Sequence, residues 1–334
     1  MIIKSRAPNR ILDFGGWTDT WFAGSGAVLN FAVSLYAHAT VKRRRRPGVS
    51  ITAQDFGEVL EIPDAKDPVY DGQHDLLKAA VRVMQIDRVD VSVYSDVPPG
   101  CGTGSSAAVS VALLGALAAV ADRHYTAHEI AALAHRLETQ ELGIESGVQD
   151  QIASAAGGIG LHQIDPYPRV ASSPVHLGHE VVWELESRLL VVYTGERRLS
   201  GDVHKKVIGD YQAGVPAAVA AMETLKQAPR RALAALYEGN LKRFAEVMNE
   251  NDAAQRALHK DIETPPIRHL RGLTHNAGAI GFKINGAGGG GSVTILCGAD
   301  RRRAVAQAVH RAQGFQILPC HLDFGGLRVW RSAG

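Results

Sequence analysis

Pro98-Pro99-Gly100-Cys101-Gly102-Thr103-Gly104-Ser105-Ser106-Ala107-Ala108 sets three alternating glycines directly before two serines and a run of helix-forming residues. Glycine admits backbone conformations and close approaches that a Cβ obstructs, and the first turn of a helix leaves N–H groups without intrahelical partners. A stretch of this kind forms a cradle for an anion, above all a phosphate, at a helix N-terminus. Residues 107–121 carry no charge and are dominated by Ala, Val and Leu. This predicts a buried helix over 105–122 whose positive end faces the loop, with one serine capping it and the other left for a ligand.

Two familiar glycine fingerprints are excluded. The chain lacks Gly-x-x-x-x-Gly-Lys-Ser/Thr, and Gly100-x-Gly102-x-Gly104 lacks the third-glycine spacing of a dinucleotide-binding turn. The alternating Val89-Asp90-Val91-Ser92-Val93-Tyr94 places a strand just ahead of the loop, so the cradle stands at a strand-to-helix junction. Residues 1–94 read as strands and turns. Helices are expected at 105–122, 127–141 and 145–156, then strands at 158–163, 170–177 and 189–193. From 202 to 278 helices dominate, with interruptions near Pro229, Gly239 and Pro265-Pro266. Strands return at 281–286 and 291–297, a helix follows at 301–313, and closing strands lie within 315–331.

The 334 residues are 46% hydrophobic and 21% charged, the composition of a globular chain of two medium domains. With 36 basic and 34 acidic residues the net charge is +2, which gives no electrostatic case for binding nucleic acid or an anionic membrane. The run Lys42-Arg43-Arg44-Arg45-Arg46 before Pro47-Gly48 reads as a solvated hairpin end. Met1-Ile2-Ile3-Lys4-Ser5-Arg6 opens a strand and offers no signal peptide, which leads us to expect a cytoplasmic protein. Cys101, Cys297 and Cys320 are widely spaced, so neither a disulfide framework nor a structural metal is expected; Cys101, inside the loop, is expected to be open to alkylation.

Two further segments carry glycines. In Arg10-Ile11-Leu12-Asp13-Phe14-Gly15-Gly16-Trp17-Thr18-Asp19, a cation and a carboxylate flank a Gly-Gly turn and can face one small site, with Trp17 as an apolar wall; on their own they read equally as a strand residue and a turn former. Asn285-Gly286-Ala287-Gly288-Gly289-Gly290-Gly291-Ser292 places five glycines in six positions between two strands, which predicts close contact with a ligand. Glu138, with Glu141 and Glu145 nearby, and Gln149-Asp150-Gln151 put carboxylates on successive helices. They can converge where a metal and a general base are wanted, a pattern that solvated helix faces share.

The Ala7-Pro8-Asn9-Arg10 region, Pro98 to Ala108, and Gly286 to Ser292 occur in the order of the three signature motifs of the GHMP kinases, and the chain resembles that superfamily across nearly its whole length. Gly15-Gly16-Trp17-Thr18-Asp19 followed by Gly26-Ala27-Val28-Leu29-Asn30 is similar to the sugar-kinase branch that contains L-fucokinase and the bacterial heptose kinases. It is less like the mevalonate branch, where Gly-Glu-His usually follows.

The resemblance implies an α+β, two-domain fold. An N-terminal α/β domain over residues 1–180 would contain a left-handed βαβ unit, an exception to the right-handed rule, and a ferredoxin-like α+β domain would span 181–334. ATP would bind through Pro98, Gly100, Cys101, Gly102, Thr103, Gly104, Ser105, Ser106 and Ala107, with Mg²⁺ held by Ser106 and Glu138. Asp150, 12 residues after Glu138, falls at the spacing of the family's catalytic Asp. Arg10 would polarise the acceptor oxygen or stabilise the moving phosphoryl charge. Gly16, Trp17, Thr18, Asp19, Gly286, Gly288 and Gly289 would contact the substrate. Thr103 stands where the family commonly has Leu, beside the nucleotide. The implied reaction is transfer of the γ-phosphoryl group of ATP to a sugar hydroxyl, the anomeric one expected. The alternatives are a D-glycero-D-manno-heptose 7-phosphate kinase, with Lys42 to Arg46, Arg169, Arg197 or Arg198 meeting the existing phosphate, and a non-catalytic sensor of ATP and sugar.

Overall fold

One long strand with two different neighbours on the same side organises the first half of the chain. The computed structural model describes residues 1–196 and 200–332. Its elements are β1 (Ile2–Phe14), β2 (Gly26–Arg43), β3 (Val49–Ala53), β4 (Glu58–Ile62), α1 (Asp75–Met84), β5 (Val89–Ser95), α2 (Ser105–Val120), α3 (Ala127–Arg136), α4 (Gln149–Ala156), β6 (Ile159–Ile164) and β7 (Val170–Val175). These are followed by α5 (His179–Arg188), β8 (Leu189–Tyr193), α6 (Ser200–Gln212), α7 (Pro216–Tyr237), α8 (Leu241–Leu258), α9 (Pro265–Asn276), β9 (Ala279–Ile284), β10 (Ser292–Cys297), α10 (Arg302–Arg311), β11 (Gln316–Leu318) and β12 (Arg328–Ser332).

β2 pairs with β1 on one side, while on the other its first half pairs with β6 and its second half with β5. The sheet runs β12-β1-β2-β5-β3-β4, with β6 and β7 branching from β2. β3 and β5 are parallel and are joined by a crossover through β4 and α1. A second, antiparallel sheet runs β11-β8-β10-β9. The final strand, β12, lies in the first sheet, where Ser332 pairs with Ile2.

The uncharged helix predicted after the glycine loop is α2. It packs on β1 and β2 on one side and on α1, α3 and α4 on the other, which is why it is apolar all round. Val111, Leu113, Leu114 and Leu117 on it are fully buried. A second core joins the two sheets: the Phe14 and Phe31 rings lie 5.1 and 6.2 Å from that of Phe244 on α8. No helix among the described residues is long and apolar enough to cross a membrane.

Several elements differ from the sequence reading. α1 lies within a segment read as strands and turns; its buried Leu77, Ala80, Val81 and Met84 follow helical spacing. α5 occupies a stretch for which no element is predicted. α7 continues through Pro229, whose ring packs beside the Gly15 backbone. The basic run does not end a hairpin, because β5 lies between β2 and β3. Arg44 there pairs with Glu61 and Asp90, and Arg46 with Glu61, so the run ties neighbouring strands together.

One buried ion pair links the sheets. Lys283 on β9 is fully buried, and its Nζ donates to Asp13 Oδ1 on β1 at 2.9 Å, to Gln255 Oε1 at 3.0 Å and to the Ile284 carbonyl at 2.8 Å. All three ammonium hydrogens are therefore satisfied. Lys283→Met takes from the buried Asp13 carboxylate its close cation, leaving only Arg10 at 4.0 Å, and is expected to lower the urea-unfolding free energy by about 3 kcal/mol. Asp13→Leu/Lys283→Met, which removes both charges, is expected to recover more than half of that loss; a double variant no more stable than the single one would show that the pair is not what holds these residues.

Candidate active site

β1 pairs with β12 only over Ile2–Arg6. Beyond that, its free edge meets the glycine segments: Arg10 N donates to the Thr103 carbonyl at 2.9 Å, and Leu12 N to Asn285 Oδ1 at 3.4 Å. The Arg10 side chain follows the same path. Its Nε and Nη2 donate to Asp150 Oδ1 and Oδ2 at 2.7 and 3.0 Å, and Nη1 donates to the Gly102 carbonyl at 2.6 Å. Burial lowers the guanidinium pKa, but Asp150 and Asp13 outweigh it and raise the pKa overall. The Arg10 side chain is 4% exposed and that of Asp150 28%, so the carboxylate is the member of the pair that faces open space.

Between Ile11 and Phe14 the β1/β2 register slips by one residue, and Leu12 takes φ 53°. This bulge changes which side chains share a face. In a regular strand residues three apart point to opposite sides; here Asp13 Oδ2 lies 4.0 Å from Arg10 Nη2. Regular alternation hides that juxtaposition, and Asp13 is absent from the predicted site.

The metal-ligand pair of the sequence reading is adjacent: Ser106 Oγ donates to Glu138 Oε1 at 2.9 Å. Glu138 sits on a π-helical turn, Leu137–Glu141, that continues α3. Its other oxygen accepts from Ser146 Oγ at 2.6 Å and Gln151 Nε2 at 2.8 Å. Burial raises the Glu138 pKa, the Ser146 and Ser106 hydroxyls pull it down, and Asp150 pushes it up, with a net rise. A hydroxyl beside a carboxylate oxygen is a hard donor set that fits Mg²⁺. Among the described residues no cluster of three His, Cys, Asp or Glu could hold a metal unaided, so phosphate oxygens and water would complete the shell. The expectation that a serine caps α2 is not met: its N-cap is Gly104 at φ 73°, with no side-chain cap.

A cavity of about 490 Å³ opens in front of Asp150, lined also by Arg10, Asp13, Trp17, Asp19, Ser106, Glu138, Gly143 to Gly147, His204, Lys205, Gly286 and Ala287. Asp19 is buried and accepts from Gln149 N at 3.1 Å. Burial, then the nearby Asp150 charge, raises its pKa to about 7, against the opposing pull of the Gln149 amide and Arg10. Trp17 meets His204 edge-on with ring centroids 4.8 Å apart, and Trp21 Nε1 donates to Glu145 across the mouth. Thr18 does not line this cavity; its hydroxyl donates to the Gly15 and Ala27 carbonyls and closes the turn.

A second, mainly apolar cavity of about 260 Å³ lies between α1, β5 and α2, walled by Leu76, Leu77, Val93, Val97, Pro99 and Val109, with Asp55, Phe56, His74 and Tyr94. Ser106 lines both cavities. Sequence reasoning missed this second space because it missed α1.

Several glycines make room for protein. A Cβ at Gly102 would stand 2.9 Å from the Asn285 carbonyl oxygen, and one at Gly291 2.7 Å from that of Cys101. Gly288 and Gly289 pack on Ile262 and Val203, while Gly286 faces the cavity. Cys101 is fully buried, which raises its thiol pKa, so the expected access to alkylation is not there. Arg169 is exposed and away from the cavity; Arg197 and Arg198 lie outside the described residues.

Known proteins share this fold. The GHMP kinases N terminal domain matches residues 75–158, and the GHMP kinases C terminal domain matches 232–315. The chain is 26% identical to the D-glycero-alpha-D-manno-heptose 7-phosphate kinase of Campylobacter jejuni, over 98% of this chain and 99% of that protein. It is 32% identical to the mevalonate kinase of Thermococcus sibiricus, over 98% of each. The crystal structure of a D-glycero-D-manno-heptose 1-phosphate kinase from Bacteriodes thetaiotaomicron superposes with TM-score 0.82 at 24% identity, covering 99% of this chain and 100% of that one. The chain belongs to the GHMP kinases, two-domain phosphotransferases that use ATP to phosphorylate a hydroxyl group.

Proposed function

We propose that this kinase phosphorylates a sugar, with the anomeric hydroxyl as acceptor. The observation that carries the reading is the meeting of two cavities at Ser106, one apolar and the other walled by the carboxylates Asp19 and Asp150. The apolar cavity suits a nucleobase, and the first-turn N–H groups of α2 lie between the cavities, where a triphosphate would cross. Ser106 and Glu138 would hold Mg²⁺, which when bound neutralises charge on the phosphate oxygens.

The remaining chemistry falls to the chain's own groups. Asp150 faces the acceptor space with both oxygens held by Arg10, and each oxygen keeps a lone pair for the acceptor hydroxyl. It orients that hydroxyl and takes its proton as the new O–P bond forms and the bond to the leaving diphosphate breaks. Arg10 fixes the direction of Asp150 and supplies positive charge beside the transferring group.

A neutral polyol fits the acceptor cavity better than an acid does. Five carboxylates line it (Asp13, Asp19, Glu138, Glu145 and Asp150), against Arg10, already paired, and Lys205. Buried carboxylates repel an acidic acceptor and accept hydrogen bonds from hydroxyls. Lys205 and His204 on the same wall support a second reading, in which a phosphate borne by the sugar's far end meets them, in line with the C. jejuni relative's name.

Coupled ADP release over free hexoses and heptoses, their 7- or 6-phosphates, and mevalonate discriminates these readings; turnover of mevalonate alone would overturn the sugar assignment. Asp150→Asn is expected to lower kcat about 10³-fold while leaving MgATP affinity within about threefold; near-normal turnover would remove Asp150 from its role. The raised Asp19 pKa gives two opposite pH effects. Since its folded value, about 7, exceeds the usual 3.8, its favourable contribution to stability is present below pH 4 and lost as pH rises through 7. Hydroxyl acceptance by the ionised carboxylate improves over the same range, so acceptor KM should fall as pH rises through about 7. Asp19→Asn is expected to flatten both profiles, checked by urea unfolding and initial rates between pH 5 and 8.

A further inference from the structure

We infer that Asp13 is a further acceptor-recognition residue, whose Oδ2 accepts a hydroxyl of the sugar other than the one that Asp150 faces. The inference rests on the sugar-kinase reading and adds to it a specificity-determining contact.

Asp13 is 1% exposed, yet it lines the acceptor cavity. Its two oxygens have different surroundings. Oδ1 accepts from Lys283 Nζ at 2.9 Å and faces the Gly286 amide at 3.4 Å. Oδ2 accepts no hydrogen bond among the described residues; the nearest cation, Arg10 Nη2, stands 4.0 Å away and donates to Asp150 instead. A buried carboxylate oxygen normally has a donor. Here the open space beside it is the acceptor cavity, and the missing donor is a ligand group.

The chain also keeps this oxygen accessible and still. The bulge at Leu12 turns Asp13 onto the face of Arg10. A Cβ at residue 16 would lie 2.8 Å from Oδ2, so glycine there leaves its flank open. Lys283, itself held by Gln255 and the Ile284 carbonyl, fixes the far side of the carboxylate. An anchored acceptor with one free oxygen beside the reacting pair suits the hydroxyl of a vicinal polyol. A lone alcohol would leave Oδ2 unpaired, and a buried group left unpaired is a strong source of discrimination between substrates.

The test uses the best sugar or sugar phosphate found for the wild-type enzyme, together with its single-deoxy analogues. The wild type is expected to lose 10- to 100-fold in kcat/KM for one analogue that keeps the reacting hydroxyl. In Asp13→Leu/Lys283→Met, which removes both buried charges, that same deoxygenation should cost less than threefold, while the penalties at other positions and the KM for MgATP are unchanged. Gly16→Ala, which leaves the Lys283 pair intact and crowds Oδ2, should weaken the same single discrimination and serves if the double variant does not fold. Unchanged discrimination in the variants for every analogue overturns the role of Asp13 and leaves the sugar-kinase reading standing. Absence of wild-type turnover with every sugar and sugar phosphate overturns both.

Discussion

The bidentate contact between Arg10 and Asp150 is the constraint on which the rest of the cleft depends. Arg10 comes from the middle of β1, Asp150 from the first turn of α4, and Arg10 also engages the Gly102 and Thr103 carbonyls through its side chain and backbone. Strand, helix and glycine loop are thereby set against one another by a single residue. The charge is nearly fully enclosed, so any of these partners that moves off leaves a buried N–H or charge without its acceptor, an unfavourable state. A loop with glycines at φ 76°, 80° and 73° would otherwise sample many conformations.

The glycine segments extend the same constraint to the second sheet. Gly102 lies against Asn285, and Gly291 against Cys101. Asn285 Oδ1 accepts from Leu12 N and Thr294 Oγ1, while its amide nitrogen donates to Ser292 Oγ. Three segments, the outer two 273 residues apart in sequence, thus meet as one polar, close-packed junction. Their small residues let backbones approach to hydrogen-bonding distance, and the cavities open on either side of the place where they touch.

Much of this was legible in the residues. The alternation of Val89 to Tyr94, the glycine loop and the uncharged run after it located β5, the cradle and α2, since each depends on local chemistry. Ser106 and Glu138 were named together through the family pattern and stand 2.9 Å apart, though spacing alone could not bring together groups on different elements. What escaped has physical reasons. α1 is short and follows a polar stretch, so its amphipathic pattern was overlooked, and the apolar cavity it walls was lost with it. A close approach to protein and one to a ligand demand the same residue, and at glycines 102, 288, 289 and 291 the sequence does not show that the neighbours include protein. Thr18 reads as a polar site residue, yet its hydroxyl is consumed by the turn. Asp13 was invisible because its direction depends on one extra residue in β1, and a strand pattern counted in twos cannot register that.

The pairing of Ile2 with Ser332 gives the second sheet an unusual status in the chain. Its strands are an excursion between two parts of one sheet, not a tail added after it. The polypeptide leaves the first sheet after β7 and returns in β12, so the second lobe is tethered at both ends. A body held by one linker can swivel in any direction, whereas one held by two is largely confined to rocking about the line that joins them.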